Sequence, residues 1–187
     1  MNKLFNEHNK VSKTFRIVMA GVFAAIIAVL TLITIPTPWG VPFTLQTFII
    51  ALCGYICGAK WGTVSVAVYV AVGLVGAPVF AGFKGGFGVL MGPTGGYIIG
   101  FITMVFLCGL NSEKLYMRAV FSLLGLLSCH LLGSLWFAFV TSTSILEAFA
   151  IASLPYILKD VISVVCAFVI AKPLNVALTR VCGRNAA

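Results

Sequence analysis

The longest stretch without a charged side chain runs 43 residues, from Ile17 to Ala59. Three more follow, of 23 residues at 61–83 and of 28 residues each at 85–112 and 119–146. Every one exceeds the roughly 20 apolar residues that cross a bilayer as a helix. With 61% hydrophobic and 9% charged residues and a mean hydropathy of +1.13, the chain reads as a polytopic membrane protein. A soluble enzyme, a secreted disulfide scaffold and a disordered tail are excluded. So is a porin-type barrel, whose strands are ~10 residues of alternating polarity.

Prolines and glycines divide the runs, because hydrocarbon tolerates no unpaired backbone N–H or C=O. Span 1 is expected at about 17–35, ending at the triple-proline segment 36–42. Short span 2 (44–59) and span 3 (61–76) follow, then a glycine-rich connection at 78–92. Spans 4, 5 and 6 are placed at about 93–110, 115–140 and 154–171. The fold class is therefore all-α, with six transmembrane helices in one substrate-binding domain over 1–187, residues 1–16 forming a basic arm. No A-x-A-like exit follows the first apolar run, which favours a retained span over a cleaved signal.

The net charge of +8 does not point to nucleic acid, since the twelve Lys and Arg stand singly between apolar runs. In a six-span arrangement ten of them fall on the side of the termini. Two, Lys84 and Lys159, fall on the other. This asymmetry puts both termini in the cytoplasm, and five or seven spans would mix the charges. The six cysteines lie in or beside apolar runs and read as free thiols. Cys53 and Cys57 share a helix face, but no nearby His or carboxylate completes a metal site, so neither metal nor cofactor is expected.

Of the four acidic residues, Glu7 and Glu113 belong to the cytoplasmic face and Glu147 to the connection between spans 5 and 6. Asp160 is the exception, about six residues inside span 6. A carboxylate there costs roughly 2.5 to 3.5 kcal/mol unless a partner or polar cavity compensates. Neighbouring helix residues point ~100° apart, so Lys159 is not expected to neutralise it. Asp160 is assigned to a polar cavity, and Lys159 either to the same cavity or to the outer interface. His130 and Ser134 share a face at i, i+4; without an orienting acid or an oxyanion motif they read as packing rather than as a hydrolase. No G-x-x-x-x-G-K-[ST] string occurs, so any ATP-driven work falls to a partner.

Two stripes of small residues recur at four-residue spacing. Gly92, Gly96 and Gly100 are assigned to an internal contact, because polar Thr94 and Tyr97 are interleaved with them. Ala20, Ala24 and Ala28 could serve an internal neighbour or another subunit.

The segment Tyr69–Phe101, with its string Gly-Pro-Thr-Gly-Gly-Tyr at 92–97, resembles the BioY family, the biotin-binding S-components of energy-coupling-factor transporters. Val-Pro-Phe-Thr-Leu-Gln at 41–46 and Pro155-Tyr-Ile-Leu-Lys-Asp160 agree with it. Two departures stand in span 6: Leu158-Lys159 replaces the usual Pro-Gly, and Ser163 stands where many members carry a lysine.

The resemblance implies a six-helix vitamin binder of the cell membrane, not an enzyme. Its outward pocket would be capped by the connections after spans 1 and 3, which are rich in Gly, Pro and aromatics. Its partners would be a membrane coupling subunit, to which the Ala20, Ala24 and Ala28 face is assigned, and two cytoplasmic ATPases. Asp160 is then expected to accept the ureido N–H protons of biotin. Thr94 and Tyr97 would add polar contacts, with Gln46 a weaker one. Trp39, Phe43 and Phe80 would cover the apolar ring and chain, and Lys84 or Lys159 would meet the carboxylate. An S-component for another vitamin and a small self-sufficient carrier are the competing readings. The carrier would be expected to show repeated intramembrane charges.

Overall fold

The computed structural model describes residues 12–110, 112 and 114–184, with side chains described to residue 180. Lys3, Glu7 and Lys10 of the basic arm, Glu113, and the side chains of Cys182 and Arg184 lie outside the described residues.

Helix α1 (Lys13–Leu32) starts at Ser12, whose hydroxyl accepts the Phe15 N–H at 3.2 Å. The proline segment cannot continue it and instead forms an arm, where β1 (Thr34–Ile35) pairs antiparallel with β2 (Phe43–Thr44). This small sheet is a departure from the all-α expectation. Helix α2 (Gln46–Leu74) is continuous by hydrogen bonding but carries Gly58 at φ 75°, ψ 174°. That left-handed conformation suits glycine, which has no Cβ to clash. The chain reverses there: Gln46 Nε2 donates to the Tyr69 hydroxyl at 2.9 Å, and the Cys53 thiol faces the Gly62 carbonyl. A straight helix would hold Gln46 and Tyr69 about 35 Å apart, so limbs 46–57 and 59–74 lie antiparallel.

The connection 75–86 returns onto the end of α2 through a backbone bond from Gly86 N to Gly73 O of 2.7 Å. It leads into α3 (Phe87–Met91) and α4 (Gly95–Gly109). Helix α5 (Leu115–Thr141) is followed by α6 (Ile145–Ala152) and α7 (Leu154–Arg184). The short α6 lies where only a connection was expected. Its signal is Ser144-x-x-Glu147, and the Ser144 hydroxyl accepts the Glu147 N–H. Helix α7 also runs beyond the expected stop at Ala171 and contains Pro173. Buried Asn175 holds this extension to α2, donating to the carbonyls of Ala171 at 2.9 Å and Tyr55 at 3.4 Å. One missing N–H is thereby outweighed by packing.

Helices α1, α2, α5 and α7 are long and apolar enough to cross a membrane, and α4 is a shorter apolar helix. Helix α2 is the hub: α1, α4 and α7 all pack on it, and α4 also packs along α5. The glycine stripe is internal. A Cβ at Gly96 would collide with Trp136 and lie 2.5 Å from the Leu132 carbonyl oxygen, and one at Gly100 would lie 2.9 Å from Cys129 Cα. The alanine stripe is also internal, which corrects its assignment to a partner. Ala20 and Ala24 are 3% and 7% exposed, Ala28 is half-buried, and α1 packs by this face on α2. Small side chains allow close approach without saying to whom. The outward face of α1 instead carries Ile17, Val18, Val22, Ile26 and Val29. Cys53, Cys57, Cys108 and Cys129 are buried free thiols, and Cys166 is an exposed one.

Candidate ligand-binding site

The helices enclose a cavity of about 480 Å³, within the size range of small-molecule sites. Gln46 and Thr47 from the start of α2, Tyr69 from its second limb, Thr94 and Tyr97 from the start of α4, His130 from α5, and Lys159 and Asp160 from α7 all line it. Gly40, Val41 and Pro42 of the first connection and Phe80, Lys84 and Gly85 of the second cover it.

Each cover is latched to a helix. Tyr156, one turn before Asp160 on α7, donates its hydroxyl to the Val41 carbonyl and accepts the Trp39 indole N–H at 2.8 Å. Phe43 lies against the same ring, with centroids 4.4 Å apart. Trp39 and Phe43 therefore do not line the cavity as expected. They brace Tyr156, which does. Phe80 behaves as expected: it is 2% exposed, meets Tyr69 edge-on at 5.6 Å, and fills the space a side chain at Gly73 would need. A pair of backbone bonds ties it to Lys84 across the turn. Phe83 and Phe87, from the same aromatic-rich connection, are exposed.

Asp160 is 5% exposed and has two basic side chains beside it. His130 Nε2 lies 3.3 Å from Oδ2, and Lys159 Nζ lies 2.5 Å from Oδ1. The second pair corrects the expectation that adjacent residues cannot meet. The Cβ directions do diverge, but the four-carbon lysine stem bends back, and its ammonium also donates to the Thr44 carbonyl at 3.0 Å. Oδ1 is thus paired with the Lys159 ammonium, but a carboxylate offers about four lone-pair sites, and those not met by Lys159 and His130 are left for a donor in the cavity.

The acid missing beside His130 in sequence is Asp160 itself, delivered from α7. With Nε2–H directed at the carboxylate, Nδ1 accepts from Ser153 Oγ at 3.1 Å, and Ser153 in turn receives the Ser134 hydroxyl at 2.7 Å. Tyr97 joins the chain, 2.8 Å from Ser153 Oγ, while donating to the Ala152 carbonyl at 2.6 Å. An Asp–His–Ser order superficially resembles a hydrolase triad. Ser153, however, is wholly buried, lies outside the cavity lining and is surrounded by polar partners, so it is not presented to a substrate. The network fixes the carboxylate.

The same geometry sorts the remaining expected contacts. The Tyr97 hydroxyl is engaged at the α6–α7 junction, so this residue offers the cavity its ring. The Gln46 amide donates to Tyr69, leaving its oxygen side. Thr94 is the N-cap residue of α4 yet makes no capping bond with its side chain. Lys84 lines the cavity, is exposed, and has no carboxylate partner among the described residues. Ser163 is buried and is not part of the lining. Sequence reasoning missed Tyr156 and Ser153 and dismissed His130. Only Pro155-Tyr-Ile-Leu-Lys-Asp160 hinted at Tyr156, while Ser153 and His130 come together across 23 residues.

A helical membrane fold that walls off a capped, mostly apolar cavity around one buried carboxylate defines a small-molecule binding protein of the membrane-transport class. The chain belongs to the BioY family, which it matches over residues 2–180. A biotin transporter BioY of Thermotoga maritima is 42% identical over 161 residues, 83% of this chain and 93% of that one. A probable biotin transporter BioY of Pyrococcus horikoshii is 42% identical over 135 residues, 72% of this chain and 81% of that one. The fold is also similar to the crystal structure of the S-component for biotin from an ECF-type ABC transporter. That likeness has a TM-score of 0.79 at 29% identity and covers 89% of this chain and 93% of the other. The relatives are transporters, not enzymes.

Proposed function

We propose that this chain binds biotin in the capped cavity and mediates its uptake across the cell membrane as the S-component of an ECF-type transporter. The observation that carries the reading is Asp160, a buried carboxylate held between His130 and Lys159 in the wall of a cavity of the right size, in a chain whose relatives transport biotin. The ureido ring of biotin carries two N–H groups that point outward on either side of its carbonyl. A carboxylate oriented by His130 accepts one of them, and a hydrogen bond to a charged group contributes about 1.5 to 3 kcal/mol. Thr94 and the free side of Gln46 supply further polarity, with Phe80, Tyr97 and Tyr156 around the apolar ring and chain. Lys159 is occupied by Asp160 and the Thr44 carbonyl, so Lys84 at the mouth is the cation for the ligand carboxylate.

The reading includes six crossings, formed by α1, the two limbs of α2, α4, α5 and α7, in a single transmembrane domain with both termini cytoplasmic. The basic residues support it: Lys60, Lys114, Arg118, Lys172 and Arg180 would share one side, with Lys84 and Lys159 on the other. Partners would be a membrane coupling subunit and two cytoplasmic ATPases, with ATP bound only there and no cofactor on this chain.

A thermal-shift screen of the purified protein against biotin, thiamine, riboflavin and niacin tests the ligand, since a bound molecule raises apparent stability by mass action. Stabilisation by biotin alone is expected, and a response to another vitamin in its place would refute the assignment. For topology, single cysteines at Lys84 and Glu147 in a cysteine-free background should react with impermeant reagent outside intact cells. One at Lys114 should not, and the reverse pattern would end the six-crossing reading.

A further inference from the structure

A second void, of about 260 Å³, lies between α5 and α7, with Tyr55 of α2 also lining it. Leu123 and Leu126 form one wall, and Val161, Val165 and Phe168 form the other. The only side-chain polarity at its edge is sealed, because the hydroxyls of Tyr55 and Ser122 bond each other at 2.6 Å. At one end the Arg118 guanidinium lies over the Phe168 ring, 5.1 Å from its centroid. Stacking of this kind leaves the N–H edges of the fork available. Among the described residues no carboxylate pairs with Arg118, and Lys114 lies one turn away on the same helix.

We infer that this groove holds one acyl chain of an anionic phospholipid, with the lipid phosphate seated on Arg118. Length and volume select this occupant. From Arg118 to Leu126 the groove runs about 12 Å at 1.5 Å per residue, which fits within one leaflet, half of the ~30 Å hydrocarbon core. A partner's helix would use the full thickness, and with side chains about 10 Å across even a short piece displaces several times the available volume. Charge complementarity supplies the rest. A guanidinium with no carboxylate partner among the described residues, at the interfacial end of an apolar slot, recognises a phosphodiester bidentately and favours a headgroup of net negative charge. Leu126 lines the groove and the ligand cavity alike, so the acyl chain would lie one side chain away from the bound vitamin.

The test uses the full-length protein in detergent, titrated with phosphatidylglycerol, with phosphatidylcholine of the same chains, and with inorganic phosphate, following the unfolding midpoint. Phosphatidylglycerol should raise the midpoint saturably. Arg118→Gln should weaken that response at least fivefold, with Arg118→Lys recovering part of it. Val165→Trp, a substitution at an exposed position that fills the slot, should abolish the response while biotin affinity stays within twofold. An equal response of Arg118→Gln and parent, an equal effect of phosphatidylcholine, or the same shift from inorganic phosphate alone would each overturn the inference. A Val165→Trp protein that keeps its lipid response but no longer assembles with the coupling subunit would overturn it in favour of a protein occupant.

Discussion

The two sides of α5 differ in kind. Toward α4 it is nearly seamless: Gly96 and Gly100 on α4 lie against Trp136, Leu132 and Cys129 of α5, Gly125 and Gly133 on α5 lie against Met104 and Tyr97 of α4, and side chains at any of the four would press on the facing helix. Toward α7 the two helices barely touch, and what lies between them is the carboxylate network at one level and an open slot at another. Where lipid is as apolar as leucine, helices adhere by close packing rather than by exclusion of water. Rigidity is therefore concentrated on the glycine side, and empty space is left where the facing residues are leucine and valine. Ligand chemistry sits on the loose side but is oriented from the tight one, since His130 on α5 reaches Asp160 on α7.

The largest effect is expected at the tight interface. Gly96→Val drives a side chain into Trp136 and the Leu132 backbone, a clash that the rigid helices cannot relieve, and should cost at least about 3 kcal/mol. Loss of monodisperse protein in detergent is the expected result, and a normal unfolding midpoint would show that the two sides are equally loose. Next in size is Asp160→Ala on the loose side. It should leave the protein folded but weaken biotin binding by tenfold or more, from the loss of about 1.5 to 3 kcal/mol. Calorimetry on parent and variant in one detergent decides it, and unchanged affinity would remove Asp160 from the site.

Two smaller effects sharpen the contrast. Lys84→Ala should weaken biotin about fivefold but leave biotin methyl ester nearly unaffected, because an exposed charge contributes about 1 kcal/mol. Equal losses for both ligands would move the carboxylate elsewhere. Ser153→Ala removes the hydroxyl that His130, Ser134 and Tyr97 share, and should lower biotin affinity about threefold with little change in the unfolding midpoint. A loss of stability at unchanged affinity would mark the network as packing alone.

Helix limits were legible because prolines, glycines and charges punctuate the long apolar runs, and the reversal expected near Ala59–Trp61 falls at Gly58. What the sequence hid was long-range. Period-four alanines announce a close contact but not its partner, and Lys172-Pro173 looks like a stop until Asn175 is seen held against α2. Asp160, Gln46, Thr94, Tyr97, Lys84 and Phe80 all line the cavity, and of these only Asp160 was marked by its isolation in apolar sequence. His130 and Ser153 carry no such mark, since each becomes meaningful only when α5 and α7 are brought side by side. Lys159 failed as a helix-geometry argument because that argument concerned Cβ directions, not the reach of a flexible side chain.

The reversal at Gly58 bears on how the chain enters the membrane. Its first limb, residues 46–57, spans only about 18 Å at 1.5 Å per residue, well short of the ~30 Å core. Such a limb cannot anchor itself while the ribosome continues. It must wait for its successor and be handed to the lipid as a pair, with Gln46 already sheltered by Tyr69. In nascent chains ending after residue 58 a cysteine placed in this limb is thus expected to react with an aqueous thiol reagent, and in those ending after residue 80 it is expected to be protected. Biogenesis then proceeds in hairpins, and the floor of the vitamin cavity is laid before α4, α5 and α7 exist to close it.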